Sequence, residues 1–427
     1  MMAHGGLSWL QLSPTRSTSV ALVLVGLSLQ SYTILLVLEY FQSVRSSPLG
    51  VALLGVLSLG GLGALALACF KQCGCRLSLS AMFFAVTSWS ALLDLVLGVA
   101  LIGATRLGKF YMETGEEYFK SSWGFWALVW DGTAHYCLQL FLSHATLLDR
   151  PRDGAALFWC GSILNSMPVL LLGAATGRYS GEIKPSTALN VPYVLAPVSI
   201  LISYVKTVAP GSAAHAPIAS PGVGARSSKV KPQRHASSER PAAYTSVLDV
   251  CFLVWHVVMI VVHCWRAITV LGGKQMAATQ WIDNVEPILG ATERPSFGFV
   301  RVQLLVYFFY YIPFHAWALV SSRAGISPWF ASWATVMAGG YAQAEVTCIG
   351  CSLFRWVGFR PLVVQMVPLA YYTLHAPMLL MPLLFLAHCC SQNAQTQTAA
   401  QDIVPTTSKT GARSKSPSRS TKSAKSY

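Results

Sequence analysis

A carboxylate and an imidazole lie four residues apart in the run WDGTAHY at positions 130–136. Residues at this spacing share one face of an α-helix, so Asp131 and His135 can hydrogen-bond to each other. Ser90 and Asp94 have the same spacing in an earlier apolar stretch. Groups of these types can hydrogen-bond to a polar group of a ligand, so the predicted chemistry is recognition of an amine or a hydroxyl.

Asp94 and Asp131 both fall within segments that are apolar enough to cross a membrane. An acidic residue at the bilayer centre costs about 2.5–3.5 kcal/mol, so it either specifies helix packing or marks a functional site. The sequence leaves both interpretations open. On the functional one, the carboxylates lie at the bottom of an apolar pocket that suits a flat lipid or an amphiphile, with Trp126 in its wall. The predicted ligand-binding residues are Asp94, Asp131, His135, Trp130, Ser90, Trp89, Asn190 and Tyr193.

Further polar residues lie in later apolar segments. Gln343 and Glu345 predict a second pocket. Four histidines are also intramembrane, but no two of them form a cluster with carboxylate or thiol at metal-ligand spacing. We therefore expect satisfied interior histidines, and the sequence predicts no metal and no other cofactor. The four are His256, His263, His315 and His375.

The surrounding chain has the composition of a membrane protein. Of its 427 residues, 54% are hydrophobic and only 11% are charged, whereas soluble domains contain about 25% charged residues. This composition excludes a soluble enzyme and a disordered regulator. The apolar runs predict an all-α polytopic membrane protein with about ten transmembrane helices. The predicted helices cover residues 18–40, 49–70, 81–105, 123–147, 156–176, 188–208, 247–272, 299–321, 328–351 and 363–390.

Most of the net charge of +14 lies in two segments rich in Ser, Ala and Pro. This composition predicts that residues 209–245 form a disordered basic linker and that residues 391–427 form a disordered basic tail. No aromatic platform interleaves with the basic residues, which favours anionic lipid headgroups over RNA, so no nucleic-acid partner is predicted. The distribution of Lys and Arg between alternate loops places both termini, including residues 1–17, in the cytosol.

The last eight predicted helices form an internal repeat. Two leading helices at 18–70 precede two four-helix units, at 79–208 and 246–390. Each unit has an acidic polar loop before an aromatic-rich helix, and its fourth helix carries two Val-Pro or Ala-Pro steps. In transporters, such repeats often bind a ligand near the membrane midplane.

The run at 130–136 resembles the WDG-x-x-HY signature of the transmembrane 6 superfamily. The runs GEEY at 115–118, VPY at 191–193 and AGGYAQA at 338–344 are also similar to that family, and RYSGEIKP at 178–185 is more similar to member 2 than to member 1. The resemblance covers residues 18–390, apart from a small insertion at 289–294. It implies that both four-helix units are EXPERA domains, related to those of the sterol delta-8/delta-7 isomerase and the sigma-2 receptor.

The resemblance also implies a location and a role. It implies residence in the membranes of the endoplasmic reticulum and the ER–Golgi intermediate compartment. The implied role is regulation of lipid metabolism, through triglyceride and cholesterol handling, lipoprotein lipidation and secretion, and lipid-droplet content. The implied partners are membrane lipids, either a sterol or another neutral lipid, and proteins of lipoprotein assembly or lipid synthesis.

The similarity to the isomerase leaves an enzymatic alternative open. The isomerase-type His and Glu of the first helix correspond to Ser90 and Asp94, and its second-helix Glu corresponds to Asp131. Moving a double bond requires an acid and a base, and serine cannot replace histidine in that work near neutral pH. We therefore expect a non-catalytic regulator that binds a sterol or related lipid. The alternatives are an isomerase-like enzyme that uses His135 and a lipid transporter or scramblase.

Overall fold

The computed structural model describes residues 14–208, 247–272, 276–290, 297–324, 326–355, 363–364 and 368–402. The predicted linker at 209–245, most of the predicted insertion at 289–294 and the end of the predicted tail lie outside these ranges. The described chain is almost entirely α-helical. Its α-helices are α1 Pro14–Ser28, α2 Gln30–Tyr40, α3 Gln42–Arg45, α4 Pro48–Gln72, α5 Leu79–Leu101, α6 Ser122–Trp130, α7 Tyr136–Leu147, α8 Asp153–Thr176, α9 Val191–Val208, α10 Val247–Val270, α11 Met276–Asn284, α12 Phe297–Val306, α13 Ile312–Ala324, α14 Pro328–Leu353 and α15 Leu369–Asp402.

Shorter elements connect these helices. A π-helical turn joins α6 to α7, and another joins α12 to α13, so each pair forms one continuous rod. A two-residue antiparallel strand pair follows α14. The π turns are Tyr111–Gly115, Asp131–His135 and Tyr307–Tyr311; the 3-10 turns are Glu117–Lys120, Ser180–Glu182, Pro185–Asn190 and Pro287–Gly290; the strands are β1 Phe354–Arg355 and β2 Val363–Val364.

Eight helical segments in the described ranges are long and apolar enough to span a membrane. The other two predicted spans are present as helices, α6–α7 and α14, but most residues of α14 are buried inside the protein. A helix surrounded by protein does not need a lipid-facing apolar surface, which explains its lower hydropathy. The chain is therefore an all-α polytopic membrane protein. The eight segments are Arg16–Tyr40, Pro48–Gln72, Leu79–Leu101, Asp153–Thr176, Pro185–Lys206, Val247–Val270, Gly298–Ser322 and Leu369–Gln392.

The span predicted at 18–40 is confirmed as the apolar segment Arg16–Tyr40, within which a turn at Leu29 separates α1 from α2. The predicted starts of two other helices are wrong. The helix predicted at 363–390 begins only at Leu369, because Val363–Val364 pairs with β1, and it continues to Asp402 into the predicted tail. The fourth helix of the first unit begins at Val191, after the 3-10 turn Pro185–Asn190, rather than at residue 188.

Serine side chains cap the N-termini of helices that build the first unit. Ser78 accepts a hydrogen bond from the backbone of Ala81 at the start of α5. Ser121 does the same for Gly124 at the start of α6, at 3.0 Å. Each cap satisfies a backbone N–H that has no partner within its helix, so these serines fix where the helices begin.

Two long helices at the centre of the molecule hold its two halves together. A Cβ atom at Gly161 of α8 would lie 1.7 Å from the carbonyl oxygen of Val336 in α14. A Cβ atom at Gly339 would lie 2.0 Å from the carbonyl oxygen of Phe158. The two contacts are reciprocal, as across a twofold axis. Only glycine permits this approach, as small residues commonly do between membrane helices.

Candidate functional site

The first four-helix unit and the leading helices enclose a cavity of about 410 Å³. Its walls come from α2, α4, α5, α6, α8 and the start of α9, and most of the lining side chains are apolar. Three acidic residues, Asp94, Glu116 and Asp131, also line it. A volume of this size lies within the range of pockets that bind small molecules. The cavity is therefore a candidate site for a largely apolar ligand with a polar group.

The carboxylates of α5 and of the rod α6–α7 reach one cavity because these helices approach closely. A Cβ atom at Gly132 would lie 2.7 Å from the Cα and backbone nitrogen of Leu95. Gly132 is the second residue of the π turn Asp131–His135, and Leu95 directly follows Asp94. The missing side chain thus allows the π turn to lie against α5 beside Asp94.

Asp131 and His135 hydrogen-bond as their spacing predicts, although they lie in a π turn and not in an α-helix. Asp131 Oδ1 lies 2.6 Å from His135 Nδ1. His135 Nε2 lies 2.7 Å from the hydroxyl of Ser162 and 3.1 Å from the indole nitrogen of Trp130. An indole N–H can only donate, so Nε2 is an acceptor and the ring proton is on Nδ1. His135 therefore donates to Asp131 and fixes the orientation of its carboxylate.

Ser162, His135 and Asp131 have the order of groups found in a hydrolytic triad, but their placement opposes that chemistry. A nucleophilic serine must reach the substrate. Ser162 is 0% exposed and does not line the cavity, whereas the Asp131 side chain is 27% exposed and does. The arrangement presents a positioned carboxylate to the cavity and no accessible nucleophile. It can hydrogen-bond a ligand or exchange a proton with it.

Asp94 faces the cavity without a protein partner. No hydrogen bond or ion pair to its carboxylate is present within the described ranges. Ser90 has the spacing to reach it, but the Ser90 hydroxyl donates to the carbonyl of Thr87 at 2.8 Å and also contacts the hydroxyl of Tyr193. Acidic residues in a membrane interior almost always pair with another group or face a water-filled cavity. A ligand in the cavity can supply that partner.

Glu116 is a cavity residue that the predicted site did not include. It lies in the loop between α5 and α6 and is 4% exposed. Its carboxylate accepts hydrogen bonds from the hydroxyls of Tyr111, at 2.9 Å, and Tyr118, and from the side-chain amide of Asn190, at 2.9 Å. Burial raises the pKa of Glu116 to about 7, although the three hydrogen bonds oppose the increase. The spacing Tyr-x4-Glu-x-Tyr is the feature of the sequence from which this cluster could have been predicted.

The remaining predicted residues divide into two groups. Trp89, Asn190 and Tyr193 line the cavity together with Ser90 and His135. The predicted roles of two tryptophans in the wall are wrong. Trp130 lies behind His135, where its indole donates to Ser162 at 3.0 Å. Trp126 packs instead against α14, where a Cβ atom at Gly350 would lie 2.3 Å from its ring.

Gln343 and Glu345 do not line the cavity. Gln343 accepts a hydrogen bond from the side-chain amide of Asn165, which also bonds to Gln303 at 3.1 Å and to Tyr311 at 3.0 Å. This amide cluster connects α8 of the first unit to the second unit. The side chains of Gln343 and Asn165 are almost fully buried. Asn165 is bonded within the protein, whereas the side-chain nitrogen of Gln343 has no hydrogen-bond partner among the described residues.

Glu345 belongs to a buried charged network in the second unit. His375 places Nδ1 2.5 Å from Glu345 and Nε2 3.1 Å from Glu286. Arg266 donates to both oxygens of Glu286, at 2.6 to 3.1 Å, and lies over the ring of Tyr307. A neutral imidazole can donate through only one nitrogen. Two carboxylates on its two nitrogens therefore favour a protonated His375, which makes the network electrically neutral.

The cavity lies in a part of the chain that is similar to a known protein family. The family described as "Transmembrane 6 superfamily member 2-like, transmembrane domain" matches residues 30–213. All the cavity-lining residues, from Ile34 to Tyr193, fall within that range. Over these residues the chain is similar to the transmembrane 6 superfamily.

Proteins of this superfamily are similar to this chain over most of its length. Transmembrane 6 superfamily member 2 of Homo sapiens is 28% identical over 336 residues, which are 77% of this chain and 82% of the relative. The Rattus norvegicus protein of the same name is 28% identical over 73% of this chain and 77% of its own length, and the Mus musculus protein is 27% identical over the same shares. No solved structure matches the chain.

Proposed function

We propose that this protein binds a sterol or a related lipid in the cavity of its first unit and regulates lipid handling without catalysing a reaction. The single observation that carries the proposal is the carboxylate of Asp94, which faces an apolar cavity of about 410 Å³ and has no partner in the described chain. The hydroxyl or amine of a lipid can hydrogen-bond to this carboxylate, and the apolar part of the same lipid can pack against the apolar walls.

The geometry also supports ligand binding rather than catalysis. Asp131 is held by His135, and Glu116 is held by two tyrosines and an asparagine, so both carboxylates have fixed positions. Fixed acceptors at different places in one cavity select for the position of a ligand's polar group. The proposed EXPERA relationship of the two units is consistent with this use of the first unit.

The direct test is identification of copurified lipid. Full-length protein is purified in detergent, and bound lipids are extracted and quantified by mass spectrometry. Since a hydrogen bond to a charged group contributes about 1.5–3 kcal/mol, Asp94→Asn is expected to reduce the amount of bound lipid by about tenfold or more. Asp283→Asn, at an exposed carboxylate of α11 outside the cavity, is the matched control. Equal lipid content in the Asp94 variant and the wild type contradicts the proposal.

The proposed setting is the membrane of the endoplasmic reticulum and the ER–Golgi intermediate compartment, with both termini in the cytosol. There the protein would affect triglyceride secretion, lipoprotein lipidation and lipid-droplet content. In cells that lack the protein, the wild type is expected to restore secreted triglyceride and lipid-droplet content, whereas Asp94→Asn is not. If both proteins restore secreted triglyceride and lipid-droplet content, the cellular role does not depend on lipid binding at Asp94.

The pair Asp131 and His135 supports an isomerase-like enzyme as a second candidate, because it presents a carboxylate and an adjacent imidazole to the cavity. Purified protein incubated with a sterol of known double-bond position distinguishes the candidates. Production of an isomer that Asp131→Asn abolishes supports the enzyme. Retained sterol without any isomer supports the binding protein.

A further inference from the structure

A polar cleft of about 400 Å³ lies next to the cavity. One wall is the turn between α2 and α4, and the other is the loop that follows α5. The cleft therefore lies at the level where two apolar spans end, which is the level of lipid headgroups. Its charged lining residues have both signs: Glu39, Arg45, Arg106, Lys109 and Glu113.

One aromatic side chain contributes to the lining of both the cleft and the cavity. Phe110 lines both of them and is 6% exposed. It packs in a small apolar cluster with Leu35, Leu38 and Val96, from α2 and α5. The polar cleft thus continues directly into apolar surface, and this combination matches a molecule with a charged head and hydrocarbon chains.

Two opposite charges at the cleft are left without partners. Arg45 donates to Glu39 at 2.7 Å, so these two side chains satisfy each other. Arg106 and Glu113 are both exposed, and neither forms an ion pair or side-chain hydrogen bond with any described residue. A ligand with one anionic and one cationic group can satisfy both.

We propose that the cleft binds the headgroup of a zwitterionic glycerophospholipid. The phosphodiester lies on the side of Arg106, whose guanidinium group can donate two hydrogen bonds to it. The ammonium group lies on Glu113, and the acyl chains run along Phe110 and the adjacent surfaces of α2 and α5. This site is separate from the sterol-type site of the cavity and does not depend on it.

The experiment uses full-length protein in nanodiscs that contain equal amounts of phosphatidylethanolamine and phosphatidylglycerol. The protein is extracted gently, and the phospholipids retained per protein are counted by mass spectrometry. Phosphatidylethanolamine is expected to be enriched on the wild type. Arg106→Gln/Glu113→Gln is expected to reduce its retention by about fivefold or more, since it removes the charge-assisted hydrogen bonds to both charged groups of the headgroup.

Two further variants make the result specific. Arg178→Gln removes an exposed arginine outside the cleft and is expected to retain the wild-type amount. Arg106→Lys/Glu113→Asp preserves both charges and is expected to retain most of the lipid, which excludes misfolding as the cause of a loss. Copurified sterol is expected to be the same in all variants, so failure of this site and failure of the cavity are distinguishable.

Several outcomes overturn the proposal. One is an equal loss in Arg178→Gln, because the effect is then general surface charge. Another is preferential retention of phosphatidylglycerol, because the cleft then recognises negative charge alone. A third is displacement of the lipid by soluble glycerophosphoethanolamine at equal concentration, because the acyl chains then contribute nothing and the site binds a free phosphodiester.

Discussion

Single residues in this protein differ in whether their charge is satisfied by the protein or left for a ligand. The carboxylate of Glu286 has Arg266, His375 and the indole of Trp281 around it. Burial alone would raise the pKa of Glu286, but the charge of Arg266 outweighs burial and holds the pKa below its ordinary value. Asp94 has no such partner in the described chain. The carboxylate of Asp94 thus differs from that of Glu286, which is paired within the protein.

Glu116 gives the protein a pH-dependent stability. Its pKa is raised from an ordinary value of 4.5 to about 7, so the folded state binds a proton that the unfolded state has lost between these values. Stability is therefore expected to rise as the pH falls from 8 to 5, by about 2.5 kcal/mol in total. Unfolding of the purified protein in detergent, followed across this range, measures the change.

Glu116→Gln is expected to remove most of this pH dependence, because the side chain no longer titrates. Glu117→Gln removes the neighbouring carboxyl, which is outside the cluster of Tyr111 and Tyr118, and serves as the control. A Glu116 variant with the same slope as the wild type between pH 5 and 8 would show that another group is responsible.

Arg266 is the residue whose loss should affect stability most. Arg266→Met leaves Glu286 buried without its guanidinium partner, and breaking a buried pair in this way costs about 3–5 kcal/mol. Denaturant unfolding in detergent measures the change, with exposed Arg178→Gln as a control that is expected to stay within about 0.5 kcal/mol of the wild type. The double variant Arg266→Met/Glu286→Gln should be less destabilised than the single one, and the reverse order would reject the pairing argument.

The helical elements were largely predictable from the sequence, because apolar runs of membrane length are visible in it. What could not be predicted is local. A π turn shifts hydrogen bonding by one residue, and nothing in the composition of Asp131–His135 or Tyr307–Tyr311 marks that shift. Glu116 lies in a loop, and its partner Asn190 is 74 residues away in the chain. The pairing of Val363–Val364 with Phe354–Arg355, which precedes α15, is likewise not visible in the apolar pattern.

The π turn of α6–α7 depends on Gly132. Gly132→Ala places a methyl group where the backbone of Leu95 now lies, so α5 and the turn must separate. We expect a loss of about 1–3 kcal/mol in stability, as for overpacked positions, together with a loss of bound lipid as Asp94 and Asp131 move apart. Gly60→Ala in α4 meets no atom within 4 Å, so it should be neutral or stabilise the helix by up to about 1 kcal/mol. Retained lipid in the Gly132 variant would mean that this approach does not define the site.

On the scale of the whole molecule, α8 connects the two units because its faces have different functions. Ile163, Ser166 and Met167 face the cavity. Gly161 and Asn165 face the second unit, through the close contact with α14 and the amide cluster. The buried charged network of the second unit can therefore support one wall of the cavity.

A variant at the contact between α8 and α14 tests this support. Gly161→Ala would place a methyl carbon 1.7 Å from the carbonyl oxygen of Val336, which only a movement of the helix backbones can relieve. We expect the free energy of unfolding to fall by about 3 kcal/mol. Because α8 also forms a wall of the cavity, we expect the amount of bound lipid to fall as well. Gly154→Ala lies in the same helix and meets no atom within 4 Å, so it should leave both quantities unchanged. If Gly161→Ala lowers stability but the lipid content of the folded fraction stays at the wild-type level, the first unit holds its cavity independently, and the second unit must have another role.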